Sequence, residues 1–211
     1  MTEDDARAWL VRHDVPRETI DAIAAFVDLL VAENEHQNLV ARSTIEHIWA
    51  RHIIDSAQLV YLSDQPERPW LDIGSGPGLP GIVIALLTGA DTILVEPRRL
   101  RVAFLERAVA ALGLAGRVTP ILGKIEAVVL PAAPVNITAR AFASLDTIFA
   151  ATVERAVPGA IWVLPKGKSA IAELESARQT WQGAFHVERS VSDPDAAIVV
   201  ARGVGRRRKA R

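Results

Sequence analysis

The sequence predicts an α/β domain: a mostly parallel seven-stranded sheet with helices on both faces, a C-terminal antiparallel hairpin and an N-terminal helical extension. Three observations predict it. From Trp70 onward, short apolar runs of strand length alternate with stretches of helical periodicity, the pattern of parallel strands joined by crossover helices. The first run, Trp70-Leu71-Asp72-Ile73, passes directly into Gly74-Ser75-Gly76-Pro77-Gly78-Leu79-Pro80-Gly81, a glycine-rich turn that opens a helix. The last two runs are separated by Ser192-Asp193-Pro194-Asp195, turn chemistry that folds the chain back on itself.

Each element has a local cause. Thr2 is placed to N-cap a short helix through about Arg12, and Pro16 opens a second. In the second, Ile20, Ile23, Ala24, Val27, Leu30 and Val31 recur at three- and four-residue spacing and mark a buried face. Ser43-Thr44-Ile45-Glu46 reads as a capping box that starts a third helix through about Leu59. Pro66 and Pro69 then lead into the first strand. Helices are expected over Leu79 to Leu87, Arg98 to Leu112, Ser144 to Ala156 and Ser169 to Thr180. Strands are expected over Thr92 to Val95, Val118 to Leu122, Val135 to Ala139, Ala160 to Leu164, Phe185 to Val191 and Ala197 to Ala201. Residues 1–62 form the helical extension, 69–203 the core and 204–211 a basic tail, all in one domain. Trp9, Trp49 and Trp162 have apolar surroundings and are assigned to the core.

The bulk properties remove several kinds of chemistry. The chain has 211 residues, half of them apolar, which suits one domain with a full core. It has no cysteine, so disulfides, thiolate metal sites and cysteine nucleophiles are excluded. No apolar run approaches the roughly 20 residues that span a bilayer, and the start Met1-Thr2-Glu3-Asp4-Asp5 is acidic, unlike a signal peptide. A soluble, cytoplasmic monomer is expected. The end Arg206-Arg207-Arg208-Lys209-Ala210-Arg211 carries five positive charges, and removing them from a net charge of −1 leaves −6. Such a segment suits nucleic acid, or a solvated tail.

Two cofactors compete for the glycine loop. Gly76-Pro77-Gly78-Leu79-Pro80-Gly81 fits a dinucleotide fingerprint, with Glu96 placed for a ribose. Asp72-x-Gly74-x-Gly76-x-Gly78 instead resembles motif I of Rossmann-like S-adenosyl-L-methionine methyltransferases. The second reading is favoured. The strand pattern ends at Ile73, Asp72 repels a pyrophosphate but suits an ammonium and a sulfonium, and Pro77 and Pro80 remove two N–H donors from a phosphate cradle. Glu96 can accept both ribose hydroxyls, and Gly123-Lys124-Ile125-Glu126 follows the third strand, where the adenine is expected.

What is missing narrows the acceptor. A cysteine attacking pyrimidine C5 is absent, and the stretch after the fourth strand, Ile137-Thr138-Ala139-Arg140-Ala141-Phe142, lacks the Asn/Asp-Pro-Pro-aromatic tetrad of amine methylases. An acceptor that needs no deprotonation fits, and guanine N7, with its free lone pair, is one. A carboxylate or small-molecule substrate fits equally well.

Five blocks taken together narrow it further: Asn38-Leu39, Arg51-His52-Ile53-Ile54-Asp55-Ser56, Asp72 through Gly81, Arg140-Ala141-Phe142-Ala143 and Lys166-Gly167. In this order they resemble the ribosomal small-subunit RNA methyltransferase G family, also called glucose-inhibited division protein B. The resemblance implies a class I methyltransferase fold and methyl transfer from S-adenosyl-L-methionine to N7 of one guanine in 16S ribosomal RNA, with the RNA or the small subunit as partner. It also implies that Gly74 and Leu79, with Gly76, Gly78 and Glu96, line the cofactor loop. Ile125 and Glu126 would lie beside the adenosine, and Arg140 would close the site. His52, Asp55 and Lys166 are further active-site candidates. The chain departs from the family at Val40, Lys124 and Glu96-Pro97. Class I enzymes acting on a small molecule or a protein, and an RNA-binding protein that keeps the fold, remain the alternatives.

Overall fold

A computed structural model describes residues 1–207. The central sheet is built from β1 (Trp70–Ile73), β2 (Thr92–Glu96), β3 (Val118–Leu122), β4 (Asn136–Thr138), β5 (Ile161–Lys166), β6 (Trp181–Arg189) and β7 (Ala197–Arg206). Their order across the sheet is β3-β2-β1-β4-β5-β7-β6. The first five strands pair in parallel, and β7 enters antiparallel between β5 and β6. The mostly parallel sheet with a terminal hairpin is therefore as expected.

Strand alternation splits the core into two layers. Leu71, Ile73, Ile137, Trp162 and Val199 project to one face, against α6 (Leu145–Thr152) and α7 (Ala170–Thr180). Leu94 faces the opposite layer, with α4 (Gly81–Thr88) and α5 (Arg99–Ala111). The N-terminal α1 (Glu3–Arg12) and α2 (Arg17–Asn34) bury Leu10, Ile23, Phe26 and Leu30 in that same cluster. Thr2 caps α1 as expected, in a reciprocal box with Asp5. Trp9, Trp49 and Trp162 are all buried.

The third helix differs from its expectation. Arg42–His47 is a 3-10 turn without a side-chain cap, so Ser43 and Glu46 do not form the capping box. A π-helical turn follows over Trp49–Ile53, then α3 (Ile54–Ala57) and a second 3-10 turn over Gln58–Leu62. The cap comes from elsewhere. Glu3, on α1, accepts from the Trp49 and Ala50 amides at 3.1 and 2.9 Å, so a carboxylate 46 residues upstream satisfies donors that Ser43 does not reach.

Smaller differences concern ends. α4 starts at Gly81 rather than Leu79, and α6 stops at Thr152 rather than Ala156. β6 begins four residues earlier than expected, at Trp181, because Gly183 and a bulge between Gln182 and Ala184 interrupt the alternation there. β7 continues to Arg206, past the boundary expected at 203, and the Arg206 guanidinium lies 4.9 Å from the Trp181 ring centroid. The rest of the basic tail, residues 208–211, lies outside the described residues.

Candidate functional site

The carboxyl ends of the parallel strands carry two neighbouring depressions, where ligands of such sheets bind. The first is an apolar cleft of about 250 Å³ over β1, β2 and β3, lined by Ile73, Gly74, Val95, Pro97, Gly123, Lys124, Ile125, Glu126 and Phe142.

The glycine loop enters its wall at Gly74. Gly74 has a φ of +69°, which a side chain tolerates poorly, and a Cβ there would meet the Phe142 ring at 2.8 Å. The loop is tied down by carboxylates. Glu96 is 2% exposed; its Oε2 accepts from the Gly76 amide at 2.9 Å and its Oε1 from the Arg98 amide at 2.9 Å. Asp72 is fully buried and its Oδ2 accepts from the Gly81 amide at 3.1 Å. The strand's acid therefore turns beneath the loop to the start of α4 rather than up towards a ligand. Burial lifts its pKa to about 7, and its Oδ1 has no partner. The Thr138 hydroxyl, on its register partner in β4, is also without one.

Gly78 and Leu79 face inward. A Cβ on Gly78 would meet Ile82 at 2.5 Å, and Leu79 is packed in the core. Their side-chain positions serve the packing of loop on helix, whereas Gly74, Ile125 and Glu126 border the cleft itself. The cleft fits an adenosine-sized group: apolar walls, backbone close on one side and an exposed Glu126 at the rim.

The second depression is a polar cavity of about 470 Å³. Four distant segments wall it: Thr44 to Asp55, Arg140 to Ala143, Pro165 to Glu173, and the Ser190 to Ile198 hairpin. Arg140 stands at its centre. One guanidinium nitrogen lies 2.9 Å from His52 Nδ1 and another donates to Asp55 Oδ2 at 3.2 Å. His52 Nε2 lies 2.8 Å from the Thr44 hydroxyl, which itself donates to the Ala41 carbonyl at 2.7 Å. This network assigns the neutral Nε2–H tautomer, with Nδ1 accepting from Arg140. Burial, reinforced by Arg140 and Arg51, holds the imidazole pKa down at about 3, so the ring is uncharged. Asp55 Oδ1 accepts from Ser192 Oγ at 2.9 Å and Gln58 Nε2 at 3.2 Å.

Two further pairs complete the lining. Lys166 reaches Glu173 at 3.0 Å and donates to the Ala143 carbonyl; Arg51 reaches Asp193 at 2.8 Å. Burial works against ionisation of Glu173, but hydrogen bonds from Lys166 and Ser169 outweigh it and hold its carboxyl below the usual range. Among the described residues every charged group lining this cavity thus has a partner of opposite sign.

The structure gathers the expected residues into two groups. Gly74, Ile125 and Glu126 border the apolar cleft, above Glu96; His52, Asp55, Arg140 and Lys166 line the polar cavity. Arg140 therefore belongs beside His52 and Asp55 rather than in the cleft. Phe142 borders both depressions. It follows Ala141, whose φ of +51° is a backbone strain that aims the ring back over Gly74. Thr44, Glu173, Ser192 and Asp193 were not singled out as site residues from the sequence. For Ser192 and Asp193 the only local signal was a turn, which does not say what the turn faces.

Comparison with known proteins shows the family and the fold. A family model described as rRNA small subunit methyltransferase G matches residues 19–201. The ribosomal RNA small subunit methyltransferase G of Zymomonas mobilis subsp. mobilis is 46% identical over 210 residues, covering 95% of this chain and 94% of that protein. The one from Novosphingobium aromaticivorans is 45% identical, covering 96% and 89%. In fold, the chain resembles an O-methyltransferase from Bacillus cereus in complex with SAH, with a TM-score of 0.60 at 12% identity, covering 92% of this chain and 96% of that one. It also resembles a glycopeptide N-methyltransferase complexed with S-adenosyl-L-methionine, with a TM-score of 0.59 at 13% identity, covering 71% and 93%. At these identities the structural likeness speaks for the class I methyltransferase fold.

Proposed function

The chain belongs to the rRNA small subunit methyltransferase G family, and from that membership we propose that it methylates N7 of a guanine in 16S ribosomal RNA, in the cytoplasm, as a monomer. S-adenosyl-L-methionine, when bound, supplies an electrophilic methyl group.

The chain's own residues divide the work. Gly74, Ile125 and Glu126 receive the adenosine side of the donor in the apolar cleft. Glu96 holds the Gly76 amide and so fixes the loop, with acceptor capacity left for ribose hydroxyls. Gly78 and Leu79 keep the loop seated on α4. On the other side of Phe142 the polar cavity takes the base. Arg140 is placed to donate to an acceptor such as guanine O6, with His52 and Asp55 fixing its plane. Lys166 anchors the Ala143 carbonyl and with it the segment carrying Phe142.

One observation carries the choice of acceptor: among the described residues, each imidazole nitrogen and carboxylate lining the cavity is already engaged by a partner. The His52 nitrogens face Arg140 and Thr44, and Asp55, Glu173 and Asp193 each hold a cation. A hydroxyl or ammonium acceptor needs a base; a ring nitrogen with an exposed lone pair does not, and positioning suffices.

The test is transfer from labelled cofactor to small ribosomal subunits from a strain lacking this gene. Label is expected in 7-methylguanosine at one position of 16S RNA on nucleoside mass mapping. Label that survives ribonuclease, or appears only on a small molecule, would falsify the proposal.

A further inference from the structure

Three cations and three carboxylates line the polar cavity in pairs, Arg140 with Asp55, Lys166 with Glu173 and Arg51 with Asp193, and the imidazole among them is neutral. A groove built to grip phosphates keeps its cations free and is strongly positive. This cavity is charge-balanced, and at Arg140 the balance rests on Asp55. Asp55 faces one guanidinium nitrogen at 3.2 Å and its own orientation is fixed by Ser192 and Gln58.

We infer that Asp55 is a positioning residue for the transfer, acting through Arg140: it cancels the guanidinium charge so that the cavity can hold a base that becomes a cation. The inference rests on the functional reading above. In that reaction the N7 lone pair forms the new carbon–nitrogen bond and the carbon–sulfur electron pair stays on sulfur. No proton moves, and the unit positive charge passes from the donor to the guanine ring. The base thus arrives neutral and leaves as a cation beside Arg140. An uncompensated guanidinium there would oppose the transition state, whereas the Arg140–Asp55 pair presents a directional donor without net charge. His52 contributes differently. It accepts from the other guanidinium nitrogen and adds no charge, so it orients Arg140 without cancelling it. The two neighbours therefore separate the roles of plane and charge.

The experiment compares the wild type with Asp55→Asn, Arg140→Gln and the double variant in two measurements. The first is transfer to small subunits. Asp55→Asn is expected to lower kcat on the order of tenfold or more with KM and SAH affinity nearly unchanged. The second is the ratio of affinities for 7-methylguanosine and guanosine, in mildly acidic buffer where the former is cationic. Losses common to both ligands cancel in this ratio, so general damage to the cavity does not move it. Asp55→Asn should lower the ratio, Arg140→Gln should raise it, and the double variant should return it to the wild-type value. An unchanged ratio in both single variants, or a double variant whose ratio stays displaced from the wild-type value, would overturn the inference. Wild type that makes no 7-methylguanosine overturns the functional reading and this inference with it. Wild type that makes it while Asp55→Asn is unaltered overturns only the role of Asp55.

Discussion

The glycine cradle and the polar cavity lie side by side, yet they are built in opposite ways. The cradle is made mainly of backbone from a short stretch of chain: β1, its loop and the start of α4 lie within residues 70–88, with Glu96 and Gly123 closing the side. Its precision comes from glycines and from carboxylates that bind amides. The cavity is made of side chains from segments far apart in sequence; Arg140 and Asp55 are separated by 85 residues, and Ser192 and Asp55 by 137. Its precision comes from ion pairs that fix one another. The difference teaches that binding a donor common to many enzymes can be left to a local motif. On the proposed function, selecting one acceptor falls to residues that only the finished fold assembles.

That contrast can be broken in four places. The largest effect is expected at Gly81, where an added Cβ would sit 2.3 Å from Leu94 Cδ2 and 2.8 Å from Asp72 Oδ2, in the wall between loop and sheet. Gly81→Ala should lose about 1–3 kcal/mol of stability from overpacking and abolish cofactor binding in calorimetry. Retained affinity would show that the cradle tolerates displacement of its helix. Next comes Arg140→Gln, which should lower methyl transfer on the order of a hundredfold, as removing a positioned donor does elsewhere, while SAH still binds as in the wild type. A large loss of SAH affinity would erase the division into donor and acceptor sides.

The third contrast is in pH dependence, because one group on each side, His52 and Asp72, is shifted far from its ordinary pKa and the two act in opposite directions. His52 stays neutral down to about pH 3 when folded but takes a proton near 6.5 when unfolded, so its contribution is lost progressively as pH falls from 6.5. Asp72 keeps its proton up to about pH 7 when folded but releases it near 3.8 when unfolded, so its contribution is lost as pH rises from 3.8 through 7. Between 3.8 and 6.5 the two slopes oppose each other, each at most about 1.4 kcal/mol per pH unit. Urea unfolding across pH 4–8 should show a flatter acid limb for His52→Gln and a flatter fall towards neutral pH for Asp72→Asn. Parallel profiles for all three proteins would sink the assignment. The smallest effect belongs to Arg51→Ala. That pair is partly solvated, with side chains 48% and 27% exposed, and its loss should cost less than about 1 kcal/mol and fade in salt.

Legibility in the sequence followed the same divide. The order of strands and helices, the turn at Gly74 and the exclusion of cysteine chemistry were all readable from composition and local pattern. His52, Asp55, Arg140 and Lys166 were identified through a family resemblance, and their three-residue or longer spacings did not say that one guanidinium joins the first two. Local pattern misled at Ser43 and Glu46, where the spacing of a capping box is present but Glu3 satisfies the next helical donors instead. It was silent on Thr44, Glu173, Ser192 and Asp193, each an ordinary polar residue until its partner is known.

By itself the sequence determined the layered α/β fold and the donor cradle. Apolar periodicity decides which face of each element is buried, and a glycine required at positive φ acts within one turn of its own position. The tertiary structure alone decided the polar cavity. Inserting β7 between β5 and β6 carries the Ser190–Ile198 turn over the ends of the parallel strands, and the packing of the Trp49–Ile53 turn on α1 and of α3 on α4 brings His52 and Asp55 to Arg140. A charge's partner across the fold is fixed by strand order and helix packing, and no window of the chain contains either.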